Sequence, residues 1–240
     1  MDRRPSWDGQ NVLDLATGTG IVARLLADHV GTEGSVTGAD INAEMLAVAR
    51  ERCGASASTV QFVESSIHPL QAEDGSFDVV ICQQGFQFFP DKPAAAGEML
   101  RVLKPGGQSL AATWSPVSQC ECFGAICETL EEMDEHDISE TMRIPFDHIT
   151  GEELGGYFES AGFTEVKVDH LVLPLKLPGG PEAGVDFAYA TPIGPKLKAL
   201  IDEKQQSFQS RLHGRLKELS GDSGHVGNMA SSVLSANKPD

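Results

Sequence analysis

Residues 12–20 read Val-Leu-Asp-Leu-Ala-Thr-Gly-Thr-Gly, and an acidic residue, Asp40, stands twenty positions beyond Gly20. The short apolar run Val12, Leu13, Leu15 reads as a buried strand. Gly18 and Gly20 make a turn after it that lets a ligand approach the backbone, because glycine tolerates positive φ and has no Cβ. A helix then starts near Ile21 with apolar positions Ile21, Val22, Leu25 and Leu26, and its first amides point at whatever sits over the turn. A second strand, Val36 to Ala39, ends at Asp40, where a carboxylate is placed to accept both hydroxyls of a ribose. Forty residues therefore outline a nucleoside pocket at the carboxyl edge of a parallel sheet.

Two chemistries use that layout. Dinucleotide binding wants G-x-G-x-x-G/A, which Gly18, Gly20 and Ala23 nominally satisfy. S-adenosylmethionine binding wants an acid closing the first strand with glycines after it, and Asp14 fits that pattern. Three further segments bear on the choice. Residues 74–82 read Asp-Gly-Ser-Phe-Asp-Val-Val-Ile-Cys. Residues 100–107 read Leu-Arg-Val-Leu-Lys-Pro-Gly-Gly, followed by an apolar run from Ser109 to Trp114. Residues 40–46 read Asp-Ile-Asn-Ala-Glu-Met-Leu. As a set, from about Asn11 to Trp114, these segments resemble the class I S-adenosylmethionine-dependent methyltransferases, in the methyltransferase type 11 group that includes ubiquinone and menaquinone methyltransferases.

The resemblance implies a fold: an α/β, Rossmann-like three-layer sandwich around a seven-stranded, mostly parallel sheet with an antiparallel last strand and helical lid insertions. It also implies site residues. The turn Asp14, Ala16, Thr17, Gly18 and Gly20 would face the methionine end of S-adenosylmethionine, Asp40 the ribose, Ile41 and Met45 both faces of the adenine, and Ser66 and Ile67 its edge. Cys82 and Gln83 would line the floor. The acceptor would meet Gln84, Phe86, Gln87, Phe88 and Phe89, with Trp114 facing it from the fifth strand. Two departures stand out. Ala16 replaces the commonest first glycine and is expected at negative φ. Ser66 replaces the usual aspartate, so its bond to the adenine amine loses charge assistance, by about 1 kcal/mol at most. Only ten residues precede the first strand where this family carries covering helices; Trp7 is expected to supply a fragment of that cover.

Alternation of strands and helices places strands at 11–15, 35–39, 60–63, 77–82 and 108–114, and helices at 20–30, 43–53 and 93–103. The Lys104–Gly107 turn is expected to end the third helix. Beyond it, a helix is expected from Glu121 to Met133, then an acidic loop, a helix at 151–162, a strand at 164–175, and a loop around Pro178, Gly179, Gly180 and Pro181. Leu197, Leu200, Ile201, Phe208, Leu212, Leu216 and Leu219 recur at helical spacing, as one amphipathic helix of about six turns. A last strand runs from Ala230 to Asn237. The division expected is a single domain, 1–240, with a core at 11–114, lid or substrate-pocket insertions at 115–150 and 178–225, and segments 151–175 and 230–238 completing the sheet.

The net charge is −17, from 35 acids and 18 bases, which repels phosphate backbones and argues against nucleic acid. No run approaches the length of a membrane span, and no secretory signal is visible. Five cysteines, an odd number, read as reduced thiols in a cytoplasmic protein. Cys120, Cys122 and Cys127 lack a histidine to complete a zinc spacing, so no metal is expected.

The resemblance implies methyl transfer to a small molecule, aromatic or apolar, at oxygen, carbon or nitrogen, by a monomer or homodimer. In-line displacement at an activated methyl demands alignment and exclusion of water, so no motif announces a catalytic residue. His148, His68 and Gln87 are the candidates, the histidines because imidazole titrates near neutrality. A non-catalytic protein on the same fold is the alternative. A nicotinamide oxidoreductase is the other. Its short-chain form needs Tyr-x-x-x-Lys, and Tyr157 and Tyr189 are followed by Ala161 and Ile193.

Overall fold

A computed structural model describes residues 7–54, 59–146, 149–221 and 224–240. Seven strands form one sheet: β1 (Asn11–Leu15), β2 (Ser35–Asp40), β3 (Val60–Glu64), β4 (Phe77–Gln83), β5 (Leu103–Trp114), β6 (Thr164–Lys176) and β7 (His225–Asn237), in the order β3-β2-β1-β4-β5-β7-β6. β1 pairs in parallel with β2 on one side and with β4 on the other. Strand order therefore reverses between β1 and β4, and the crevice at their carboxyl ends is where an open α/β sheet binds ligands. β1 is buried from Val12 to Leu15, as expected of a central parallel strand covered on both faces. β7 runs antiparallel to β5, since Gly107 bonds to Lys238 while Ser115 bonds to Ala230. The sheet and its flanking helices form a Rossmann-like α/β fold.

Helices α1 (Ile21–Ala27), α2 (Ala43–Cys53) and α3 (Lys92–Val102) follow β1, β2 and β4. α2 and α3 start at side-chain caps. The Asn42 side chain accepts the Glu44 and Met45 amides at the start of α2, and Asp91 accepts the Ala94 amide at the start of α3, which also carries a proline in its first turn. Both are standard N-caps, worth about 1 kcal/mol each. The Lys104–Gly107 segment departs from expectation. α3 has already stopped at Val102, and Lys104–Gly107 lie inside β5 as a four-residue irregularity: Phe77 pairs with Leu103, but Val79 pairs with Gln108. Gly107 permits this because a Cβ there would lie 2.8 Å from the Lys104 carbonyl oxygen and 3.0 Å from that of Asp78. Lys104 Nζ meets the Asp78 carboxylate across the bulge at 2.8 and 2.9 Å.

The chain divides into two compact units: Met1–Thr113 with Gly151–Asp169 and Val233–Asp240, and Trp114–Thr150 with His170–Ser232. The first holds β1 to β4, the start of β5, α1 to α3 and α6 (Gly151–Ala161). Trp7 packs in it against the cluster of Leu26, Val30 and Val36, beside α1 and not over the crevice expected for it. The second unit is mostly helical: α4 (Glu121–Glu131), α5 (His136–Arg143), α7 (Gly180–Ala190), α8 (Gly194–Lys198) and α9 (Asp202–Leu219). Three expectations change here. The acidic loop contains α5, because Ile138 and Met142, four apart, are both buried. The Pro-Gly loop is the start of α7, with Pro181 in its first turn, a position proline favours. The six-turn helix is broken at Ile201, which is extended (φ −62°, ψ 152°) and 65% exposed. Leu197 belongs to α8, and only Phe208, Leu212 and Leu216 remain as the buried stripe of α9. Burial of each contributes about 2 kcal/mol. No described helix is long and apolar enough to cross a membrane.

Candidate active site

The turn after β1 is built on left-handed backbone. Gly18 and Gly20 have φ of 55° and 74°, and Ala16 has φ 55°. The negative φ expected of Ala16 is thus overturned. The chain must reverse immediately on leaving β1, and the Thr17 amide is tied to the Ala39 carbonyl at 3.0 Å, so the residue between has no extended option. Left-handed backbone costs an alanine about 1–2 kcal/mol.

The two glycines do different work. A Cβ on Gly18 would meet only Met45 Sδ, at 3.9 Å, so the turn is open on that side. A Cβ on Gly20 would sit 3.0 Å from both Ala49 Cβ and the Phe62 ring. Gly20 lets α1 start against α2 and β3.

Two carboxylates hold the turn. Asp14, 1% exposed on β1, accepts the Thr17 hydroxyl at 2.5 Å and the Ala23 amide at 3.0 Å, both on Oδ2. It thereby satisfies a first-turn donor of α1. Burial pushes its carboxyl up to about 7; the Thr17 and Ala23 bonds oppose that rise, and the nearby Asp40 charge adds to it. Asp40, at the tip of β2, accepts the Gly18 amide on Oδ2 at 2.9 Å and the Asn42 amide on Oδ1 at 2.8 Å. One side chain therefore ties the glycine turn to the start of α2. Each oxygen keeps a second lone pair for a ligand.

Two adjoining cavities open at the switch point, of about 220 and 280 Å³. Ala16 lines both. The first is walled by Asp40, Ile41, Ser66, Ile67, His68 and the segment Phe89–Asp91. The second is walled by Asp14, the turn Thr17–Thr19, Met45 and Gln83. Ile41 and Met45, expected on either side of one ring, thus line different cavities. Ser66 donates its hydroxyl to the Pro69 carbonyl at 3.1 Å, which leaves its oxygen lone pairs to accept. Asp91, not among the residues expected from the sequence, lines the first cavity and caps α3. The helix-free segment carrying Ser66 to His68 is strapped by Arg101: its guanidinium donates to the Leu70 and Ala72 carbonyls at 3.1 and 2.8 Å while pairing with Glu98 and Asp74.

The remaining candidates fall elsewhere. Cys82 is fully buried on β4, its thiol pushed far up by burial and by the Asp14 charge; its sulfur lies 3.0 Å from where a Gly85 Cβ would be, and it lines neither cavity. Phe86 is fully buried against Phe89, Tyr157 and Phe158, so it is core. Phe88 is 53% exposed. Gln84 is left-handed (φ 56°), with its amide bonded to the Ala112 carbonyl. Gln87 is enclosed. Trp114 belongs to the second unit, with its ring 6.0 Å from that of Phe146. His148 lies outside the described residues.

A Rossmann-like sheet with a nucleoside-sized crevice at its switch point, a left-handed glycine turn and an acid at the tip of β2 form a layout suited to a nucleoside-bearing cofactor such as S-adenosylmethionine. The residues fit the group: the turn is open where a Gly18 side chain would be, Asp40 has lone pairs to spare, and Asp14 and Asp40 suit a cationic ligand. Residues 12–107 match the family model described as a methyltransferase domain.

Among curated proteins, the chain is 43% identical over 112 residues to the ubiquinone/menaquinone biosynthesis C-methyltransferase UbiE of Xylella fastidiosa strain M23, and 44% identical over 112 residues to that of Stenotrophomonas maltophilia strain R551-3. The matched stretch is 46% of this chain and spans 44% of each relative's length. Over nearly the whole chain the fold is shared with phosphoethanolamine N-methyltransferase 2 of Haemonchus contortus, solved with S-adenosyl-L-methionine (TM-score 0.60, 19% identity, 97% of this chain and 49% of that one). It is shared too with a SAM-dependent methyltransferase of Aquifex aeolicus (TM-score 0.54, 17% identity, 96% and 83%).

Proposed function

We propose that the chain methylates a small-molecule acceptor at oxygen, carbon or nitrogen by in-line displacement. The observation that carries this is Asp40: a carboxylate at the carboxyl tip of β2, bonded to the Gly18 amide and facing the cavity that shares Ala16 with the glycine-turn cavity. A nucleoside with an aminoacyl arm spans such a pair.

In this assignment Asp40 holds the ribose diol. Ile41, Ser66 and Ile67 take the base, and the Ala16–Thr19 backbone with Gln83 takes the amino-acid end, where Asp14 faces its ammonium. Bound there, S-adenosylmethionine supplies an electrophilic methyl carbon. Asp40, the base-binding residues and the turn would hold that methyl in line with an acceptor's lone pair, the neutral thioether being the leaving group. The protein's part is alignment and exclusion of water, which accounts for much of the barrier lowering in such reactions. The free state of all five cysteines supports work in a reducing compartment.

The test is calorimetry with S-adenosylhomocysteine and with NAD, followed by radiolabelled methyl transfer to a panel of acceptors. Micromolar binding of the first and none of the second is expected, with at least a tenfold loss in Asp40→Ala. Unchanged affinity in that variant removes the ribose assignment. Tight binding without transfer to any acceptor leaves the non-catalytic alternative.

A further inference from the structure

Asp14 lines the glycine-turn cavity although it is only 1% exposed. Its two oxygens are not equivalent. Oδ2 accepts both the Thr17 hydroxyl and the Ala23 amide, and Oδ1 accepts from no described residue. No described cation pairs with it. The groups around it are acidic or neutral. Asp40, on β2, is a second carboxylate. Cys82, on β4, is a thiol that burial keeps protonated, and Gln83 shares the cavity uncharged. Arg24, the one charged residue of α1, donates to the Thr19 carbonyl at 3.0 Å. Glu44, in the first turn of α2, is exposed. A carboxylate enclosed in this way, with no cation beside it, takes up a proton instead of holding a bare charge. The two bonds to Oδ2 leave Oδ1 to carry that proton, and Oδ1 is also the oxygen left for a ligand.

We propose that the cofactor's amino-acid end enters this cavity by exchanging its ammonium for a proton on Asp14, and that this exchange makes Asp14 the residue that separates the whole cofactor from its uncharged nucleoside fragments. This rests on the methyltransferase function proposed above. The exchange balances: the O–H bond of the carboxylic acid breaks, its proton passes to solvent, and an ammonium N–H donates to Oδ1. The enclosed pair is neutral before and after, so no bare charge is buried at either stage. A ligand without an ammonium leaves the acid protonated and releases nothing. The pH dependence has a definite sign. Burial pushes the Asp14 carboxyl up to about 7. Below that value the ammonium must displace a bound proton, so apparent affinity falls about tenfold for each pH unit. Above it the acid is already ionised and affinity levels. Asp40 takes no part in the exchange, because its two oxygens already accept the Gly18 and Asn42 amides.

The experiment is calorimetry of the full chain with S-adenosylhomocysteine and with the neutral fragment 5′-methylthioadenosine, from pH 5.5 to 8. Each titration is run in two buffers of different ionisation enthalpy, which counts the protons released. Wild type is expected to release about one proton per S-adenosylhomocysteine bound at pH 5.5 and almost none at pH 8, with affinity rising more than tenfold between them. The fragment is expected to release none and to bind equally across the range. Asp14→Asn is expected to bind S-adenosylhomocysteine without proton release and to lose at least fivefold of the preference for it over the fragment at pH 8. Proton release that persists in Asp14→Asn overturns the assignment, as does equal pH dependence for the fragment, or S-adenosylhomocysteine binding by wild type with no release. The last two are read on wild type and hold even if the variant does not fold. Failure of wild type to bind S-adenosylhomocysteine at any pH instead strikes the methyltransferase function itself, on which the Asp14 exchange depends.

Discussion

Asp14 makes a quantitative demand on the pH dependence of stability. Its carboxyl rises from an ordinary 3.8 to about 7 on folding, chiefly through burial. A group raised in the folded state contributes fully below its unfolded value, and that contribution is lost as pH climbs through the folded one. The window is therefore roughly pH 4 to 7, where the folded chain holds a proton that the unfolded chain has released. Stability should fall across it by about 1.4 kcal/mol per pH unit from this group, reaching a loss of about 4 kcal/mol above pH 7.

Asp14→Asn removes the ionisation while keeping an oxygen to accept the Thr17 hydroxyl and the Ala23 amide. The assay is urea unfolding of the ligand-free chain at half-unit steps from pH 5 to 8, comparing the two proteins. Wild type should lose stability steadily to pH 7 and then level, while the variant, near wild type at pH 5, becomes the more stable protein by about 2–4 kcal/mol at pH 7.5. The difference between the curves isolates Asp14 from every other titrating group. Parallel curves, or a variant less stable than wild type at pH 8, would refute the claim that an enclosed charge strains the turn.

Two further outcomes follow from the same region. Ala16→Gly relieves left-handed strain of about 1–2 kcal/mol but frees the unfolded chain by about 0.4–1; a rise of 1–3 °C in melting temperature is expected, and a fall shows that the Ala16 methyl packs productively against Gly85. Arg101→Ala cuts the strap on the Ser66–His68 segment; about 2 kcal/mol of stability and several-fold affinity for S-adenosylhomocysteine should go together, and loss of stability with full affinity would show that the segment does not shape the base cavity.

Much of the molecule is legible in the chain itself. Strand and helix periods, the glycine pair and the acid twenty residues past Gly20 are patterns of the chain itself, most of them written in spacings of two to four residues or in single turns. They suffice to set the order of elements, and with it the switch point between β1 and β4 where a cofactor sits. What only the tertiary structure decided depends on groups far apart in sequence. Ala16 is left-handed because Thr17 is tied to Ala39. Gly20 has no room for a side chain because Ala49 and Phe62 close on it. Asp14 is shifted because the sheet and α1 close over it, and Lys104–Gly107 bulge because β4 holds β5 at both ends. Desolvation, close approach and the presence or absence of a hydrogen-bond partner are sums over the surrounding structure, and no run of neighbouring residues encodes them.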